Sequence, residues 1–391
     1  MFREYRPLWA EINIDNLEYN IRQIKSKLGD KTKYISVIKA DAYGHGAIEV
    51  AKVCIENGIN DFAVAMVDEA LELRGAGIDK SILILGYTPP NMADIIVEKD
   101  ISQACFTLDM AKAMSDAAVK CKKNAEIHIA VDTGMGRIGF SPDEKNADIV
   151  KKISMLPNIE IEGIFTHFST SDEENKEFTK LQYNRFNSFL GLLKERGVNP
   201  KIKHAGNSAS LIDLPELKMD AVRVGIIQYG LYPSEDVIKD NISLKPVMSV
   251  KTNVVYIKEV DAGTPISYGR RFITKRKSKI ATLPVGYADG YSRMLFGKAK
   301  VILNGRFAPV VGNICMDQCM IDITDLGDIA VGDEVIIMGG DKGISILAED
   351  LADLLGTINY EVLCMFSKRV PRVYYKGGSL VSVRNYLINE Y

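Results

Sequence analysis

The sequence predicts an α/β fold: an eight-stranded parallel (β/α)8 TIM-like barrel followed by a mainly β C-terminal domain. Three observations carry this. Short apolar, β-rich runs alternate with helical patterns eight times in the first two-thirds of the chain. Parallel strands need a crossover, and a helix that covers the sheet is the usual one. Eight such units in roughly 215 residues is the arithmetic of a closed barrel. A doubly wound open sheet is the alternative on pattern alone. After about residue 240 the texture changes to alternating strands and glycine-rich turns.

Taken in order, the first helix carries Asp15 and Glu18 as a capping box. Leu17, Ile21, Ile24 and Leu28 form its apolar stripe, and Gly29 stops it. Strand one is Tyr34–Ile38. The helix Ala47–Asn57 ends at Gly58, strand two is Phe62–Ala65, and the helix Asp68–Arg74 ends at Gly75. The remaining strands are Ile82–Leu85, Ala104–Phe106, Ile127–Val131, Ile161–Phe165, Lys201–His204 and Ala221–Val224. The boundary falls near Ser234–Leu244, giving a barrel domain over 1–240 and a β domain over 241–391. Residues 1–13 are a candidate to pack with the second domain. There, Met248, Val250, Thr252, Val254 and Tyr256 alternate, and Ile280–Leu283, Val301–Leu303 and Glu334–Ile337 are short apolar runs. One helix, Ile346–Leu355, is capped by Gly356.

Composition narrows the function. The 391 residues are 47% apolar and 26% charged, with a formal charge of −2, so binding a polyanion by bulk charge is not expected. No apolar run is long enough to span a bilayer, and the charged start Met1–Arg6 lacks the apolar segment of a secretory leader. Six cysteines without a Cys-x-x-Cys pair suit reduced thiols in a cytoplasmic protein, and four histidines without metal-ligand spacing suit no metal. The run Gly134-Met135-Gly136-Arg137-Ile138-Gly139 matches a dinucleotide fingerprint but follows the fifth strand, whereas such a fingerprint belongs to the first βαβ unit. The basic stretch Arg270–Lys279 reads as a solvated loop.

Function in a parallel barrel gathers where strands end. Lys39, Asp41, Tyr43 and His45 follow strand one, Asp132 and Arg137 follow strand five, and Thr166 and His167 follow strand six. Asn207 and Ser208 follow strand seven, with Arg223 and Gly225 at strand eight. Lys39 by itself has two readings: a structural lysine that snorkels, or a desolvated amine suited to covalent catalysis. His167 by itself reads more readily as a satisfied histidine near the core than as a catalytic group.

The phrase Val37-Ile38-Lys39-Ala40-Asp41-Ala42-Tyr43-Gly44-His45-Gly46 resembles the cofactor-lysine motif of the alanine racemases, pyridoxal-phosphate enzymes with a barrel and a β domain. The resemblance runs nearly end to end. It returns at Val131–Arg137, Thr166-His167-Phe168, Ala205–Ser208 and Val222–Ile226. It continues at Ile266–Gly269, Val285–Gly290, Cys315-Met316-Asp317 and Ile358–Glu361.

The resemblance implies the following roles. Lys39 binds pyridoxal 5'-phosphate covalently and serves as one acid/base on Cα, and Tyr268 is the other, on the opposite face. A phenol with a pKa near 10 needs help to act as a base at neutral pH, and His167 would support it. Arg223 would face the pyridine nitrogen and keep it unprotonated, where barrel decarboxylases place a glutamate. Tyr43, Ser208, Gly225, Ile226 and Tyr360 match the phosphate contacts. Arg137 and Met316 would hold the substrate carboxylate, with Asp317 behind them. Tyr287 and Tyr360 would narrow the approach to favour the methyl group of alanine. Tyr268, Met316 and Asp317 would enter the barrel mouth of a second copy, making a homodimer with shared active sites. The expected activity is interconversion of L- and D-alanine in the cytoplasm, supplying D-alanine for the cell wall. A serine racemase, a decarboxylase and a cofactor carrier are the competing readings. One departure concerns Ala130, where many members carry a carbamylated lysine that orients the arginine. A bound anion such as chloride, or another side chain, is expected in its place.

Overall fold

The computed structural model describes residues 6–388; the Met1–Tyr5 stretch read above for a leader lies outside them. The chain divides into two compact units, one of Glu18–Ala42 with Ala47–Lys245, the other holding the residues up to Leu17, Tyr43–Gly46 and those from Pro246 onward.

The first unit is the barrel. Its strands are β1 (Lys33–Val37), β2 (Asp61–Val64), β3 (Ser81–Ile84), β4 (Ser102–Cys105), β5 (Ala125–Ala130), β6 (Ile159–Phe165), β7 (Ile202–His204) and β8 (Ala221–Val224). Neighbours in sequence pair in parallel from β1 to β7, and β8 returns beside β1 in the register Lys33↔Ala221 to Ser36↔Val224. The seam between β7 and β8 is closed by a Gly206↔Val222 bridge and by the Arg223 N–H donating to Gly206 O at 3.0 Å. That closure excludes the open-sheet alternative. Strands β2 and β3 are buried along almost their whole length, which is why Phe62–Val64 and Ile82–Ile84 read as continuous apolar runs rather than alternations.

Helix starts follow local chemistry. The first helix begins at Ile14, one residue before the expected cap at Asp15. Asn13 occupies the capping position and its Oδ1 accepts from the Asn16 N–H at 2.9 Å, while Asp15 instead accepts from the Gly377 N–H. The stripe Leu17, Ile21, Ile24 and Leu28 is buried as predicted. The fingerprint-like glycine run forms a loop between β5 and the helix Glu144–Ile153, which Asp143 caps through the Asn146 N–H.

The second unit centres on an eleven-stranded sheet. Leu8–Asn13 runs antiparallel to Met248–Asn253 and parallel to Arg372–Lys376. Met248–Asn253 shows the strict in–out burial alternation read from its sequence. The helix Ala348–Leu355 ends on Gly356 at φ +73°; Ile346, expected to open it, instead ends the short strand Ile344–Ile346. The basic stretch read as a solvated loop instead contains the strand Phe272–Ile273 and enters the strand Ser278–Leu283, with Thr274 and Ser278 buried. Between the strands, Lys277 pairs with Glu259 and Arg276 with Asp325. Tyr43–Gly46 is held in this unit: Arg372 Nε donates to Gly44 O at 2.7 Å, and the Tyr374 hydroxyl donates to His45 O at 2.9 Å. Among the described residues no helix is long and apolar enough to cross a membrane.

Candidate active site

Lys39 stands at the carboxyl end of β1, where the backbone changes hand. Ala40, Asp41, Ala42 and Tyr43 take φ values of 52°, 53°, 54° and 53°, one turn of left-handed helix built without glycine. Each such residue costs about 1–2 kcal/mol, so the turn persists only because its surroundings hold it. Glu69, just beyond the adjacent strand β2, supplies much of that hold. Its Oε1 accepts from the Ala40 N–H at 2.5 Å, and its Oε2 accepts from the N–H groups of Ala65 and Met66. Asp41 Oδ1 accepts from the Ala47 N–H at 2.8 Å, and the Ala42 N–H donates to Ile38 O. Sequence reasoning placed Glu69 only within a helix; its position after a neighbouring strand was the available signal.

Arg223 lies inside the barrel on β8, 4% exposed. Its Nη1 donates to His204 Nδ1 at 2.8 Å and to His204 O, and its Nη2 donates to Thr166 O at 2.7 Å and His167 Nδ1 at 3.1 Å. Guanidinium only donates, so both imidazole nitrogens must accept. Among the described residues no carboxylate touches it, and burial lowers its pKa to about 9, with Arg137 adding to the drop. His167 and His204 are pushed well below the ordinary histidine value, first by burial and then by Arg223. Both rings are therefore neutral at pH 7, and His167 keeps its single proton on Nε2.

Arg137 is exposed on the loop after β5. Asp132 shapes that loop, its Oδ1 accepting from the N–H groups of Gly134 and Gly136 at 2.9 and 3.0 Å. Among the described residues Arg137 has no carboxylate partner. Ala130 packs with Ala104 and Phe165 against Leu85 and Phe106, so an apolar cluster fills the place from which a lysine would rise.

Neutral donors complete the mouth. Ser208 opens the helix Ser208–Asp213, capped by Asn207, and its Oγ accepts from the Gly225 N–H at 3.0 Å. Ile226 starts a 3-10 turn, which leaves its N–H outside the turn's own hydrogen bonds. An amine, a buried guanidinium, a hydroxyl and a free-facing main-chain N–H suit an aldehyde-bearing aromatic phosphate, and this set fits pyridoxal phosphate.

The second unit carries the other predicted residues. Tyr43 and Tyr360 place their rings 6.0 Å apart at 48°, and burial pushes the Tyr43 phenol well above its usual range. Tyr268 is 67% exposed on a turn with positive φ at Ser267, Gly269 and Arg270, held by Asn313 Nδ2 donating to Tyr268 O. Tyr287 and Met316 lie on two loops zipped by Tyr287 N–H to Cys315 O and Ala288 N–H to Met316 O. A Cβ on Gly286 would meet Met316 O at 2.3 Å, so glycine is required there. Asp317 accepts from Arg369 at 2.7 Å, and its carbonyl accepts from Arg6, which also forks onto buried Asp289.

Comparison with known proteins agrees along the whole chain. The family model for the alanine racemase N-terminal domain matches residues 12–233, and that for the C-terminal domain matches residues 247–374. The alanine racemase of Clostridium novyi is 58% identical over 388 residues, covering 99% of this chain and all of that protein. The structure of the Clostridium difficile 630 alanine racemase superposes with a TM-score of 0.96 at 45% identity, covering 98% of this chain and 100% of that one. A histidine racemase from Leuconostoc mesenteroides superposes at 0.87 with 29% identity, covering 95% and 99%. With both domains matched in order and relatives alike over their full length, the chain belongs to the alanine racemase family.

Proposed function

We propose that this chain interconverts L- and D-alanine with pyridoxal phosphate, in the cytoplasm, as a source of D-alanine for the cell wall. The observation that carries the reading is the hydrogen bond from buried Arg223 to a neutral His167. A permanent donor inside the barrel mouth suits an unprotonated pyridine nitrogen, whereas a decarboxylase would need an acid there. Lys39, Tyr43, Ser208, Arg223, Gly225, Ile226 and Tyr360 would hold the cofactor. When bound, pyridoxal phosphate supplies the electron withdrawal that loosens the Cα proton of an amino acid.

The remaining work belongs to the protein. Lys39 takes or gives the Cα proton on one face, and Tyr268 of a second copy serves the other. His167 presents Nε2–H as a donor, so it stabilises the Tyr268 oxygen when that oxygen is ionised. Arg137 and the Met316 amide orient the carboxylate, with Asp317 bracing the Met316 loop. Tyr287 and Tyr360 limit side-chain size, the feature by which one fold separates alanine from larger amino acids. The active unit would be a homodimer, each mouth completed by the other copy.

The test is L-alanine with the purified protein and pyridoxal phosphate in D2O. Loss of optical rotation with deuterium entering Cα, both abolished in Lys39→Ala, is expected, with L-serine slower in parallel. Deuterium entry with rotation retained would remove Tyr268 as the second base. Absence of both deuterium entry and loss of rotation would overturn the racemase reading.

A further inference from the structure

Two histidines and a glutamate lie below the mouth and take no part in the chemistry just described. Arg223 Nη1 meets His204 Nδ1 at 2.8 Å, His204 Nε2 meets His128 Nδ1 at 2.9 Å, and His128 Nε2 meets Glu162 Oε2 at 3.0 Å. The chain crosses four strands of the barrel, β8, β7, β5 and β6. We infer that Glu162 and His128, acting through His204, are positioning residues that fix the hydrogen-bond polarity around Arg223 and act as its counter-charge.

The polarity follows from the donor inventory. Guanidinium has no acceptor, so His204 Nδ1 accepts and the ring's proton sits on Nε2. That proton is donated to His128 Nδ1, which leaves the His128 proton on Nε2, donated to the carboxylate. Every step has one solution. A doubly protonated His128 would set its Nδ1–H against the His204 Nε2–H and break the chain. The negative end thus reaches a buried cation that, among the described residues, no carboxylate touches directly.

The backbone makes room for this arrangement in two independent ways. Strands β5 and β6 pair Ile127↔Ile161 and then His128↔Gly163, so Glu162 is the extra residue of a β-bulge. A Cβ on Gly163 would lie 2.2 Å from His128 Nδ1, so glycine is what lets the ring lie against β6. Phe165 stacks on His204 at 5.0 Å and 22°, and the His128 ring meets His204 edge-on. Barrel interiors are ordinarily filled by branched apolar side chains, so a fully paired polar chain here departs from the packing the fold favours. Around Glu162 stand Glu126, Glu160, Lys33 and Lys201; Lys201 pairs with Glu160 and Lys33 with Asp61. The carboxyl of Glu162 is held below its ordinary range chiefly by the hydrogen bond from His128.

The inference rests on the functional reading only for the meaning of Arg223, and its test is separable. The chain has four histidines, so the ring-nitrogen spectrum of the full-length enzyme labelled with 15N-histidine is simple. His128, His167 and His204 are expected as Nε2–H tautomers. His45, whose Nδ1 faces Tyr43 O at 3.0 Å, is expected as Nδ1–H. Glu162→Gln, which keeps an acceptor but loses the charge, should retain the three tautomers. It should shift the His128 resonances and lower the high-pH limb of kcat/KM by about half a unit, since Arg223 then loses its proton more easily. Glu162→Ala should also disturb the His128 tautomer. A proton on Nδ1 of His128 or His204 would overturn the inference, as would a pH limb unmoved in both variants. The expected tautomers in a protein that does not racemise alanine would sink the functional reading and leave the hydrogen-bond chain standing.

Discussion

Gly163→Ala tests the packing under the buried histidine chain. The new Cβ would lie 2.2 Å from His128 Nδ1, 2.4 Å from Cε1 and 2.8 Å from Cγ. An ordinary contact is about 3.5 Å, so the ring must retreat by roughly 1 Å. His128 is 4% exposed and hydrogen-bonded on both nitrogens, so retreat sacrifices those bonds. Two bonds at about 1 kcal/mol each, plus about 2 kcal/mol for the stranded His204 N–H, outweigh the 0.5–1 kcal/mol that alanine gains over glycine in a strand. The expected loss is about 3 kcal/mol, read as a lower urea midpoint by circular dichroism. On a His128→Ala background the clash has no partner, so the same substitution should be neutral or slightly stabilising, a coupling of about 3 kcal/mol. Equal losses in both backgrounds, or a Gly163→Ala protein within 0.5 kcal/mol of wild type, would refute the reasoning.

Other perturbations have equally definite signs. Ala40→Gly, which costs stability in an ordinary helix, should here raise it by about 0.5–1 kcal/mol, because φ is 52°; melting midpoints decide it. Glu69→Ala strands three N–H groups and should cost about 2–3 kcal/mol, with Glu69→Gln recovering part of the loss. His204 is neutral when folded and takes a proton near pH 6.5 when unfolded. The unfolded chain therefore binds more protons below that value, and His204 alone should lower stability by about 1.4 kcal/mol per pH unit as pH drops from 6 to 5, with His167 adding to the slope. His204→Asn should remove its share of that slope and leave the share due to His167, read in urea titrations at several pH values.

How far the sequence could be read depended on the physical period of each feature. The barrel was legible because Phe62–Ala65 and Ile82–Leu85 are continuous apolar runs alternating with helical patterns. Met248–Asn253 was legible because its alternation repeats every two residues. Side chains that follow strand ends, such as Lys39, His167 and Ser208, were brought forward as candidates by that rule, and only the resemblance gave them roles. The left-handed turn was not legible: Ala40-Asp41-Ala42-Tyr43 contains no glycine, and its conformation is held by Glu69 from the helix after the neighbouring strand. Nor was the bulge, since Ile161-Glu162-Gly163-Ile164-Phe165 reads as a plain strand and only pairing with β5 shows the extra residue. The cap moved from Asp15 to Asn13 because either side chain can cap, and the choice depends on where the strand before it releases the chain.

The charge around the mouth leads to the last prediction. His167 feels the positive charges of Arg223, Arg137 and Lys39, and neither arginine has a carboxylate partner among the described residues. A barrel that gathers cations in this way is destabilised by their repulsion until anions arrive, and a phosphate with a substrate carboxylate would supply them. Inorganic phosphate should therefore stabilise the cofactor-stripped protein by itself. With half-saturation near 1 mM, 10 mM phosphate contributes about 1.4 kcal/mol. For a unit of this size that is a rise of about 4 °C in melting temperature. Ser208→Ala should shrink the shift, because a neutral donor is lost while the cations remain. Sodium chloride at matched ionic strength should give a smaller rise even if chloride settles beside Arg137, since it does not engage the directed donors of Ser208 and Ile226. An equal rise with chloride would mean that the cations are relieved by screening alone, and the reading of this mouth as a phosphate cradle would fall.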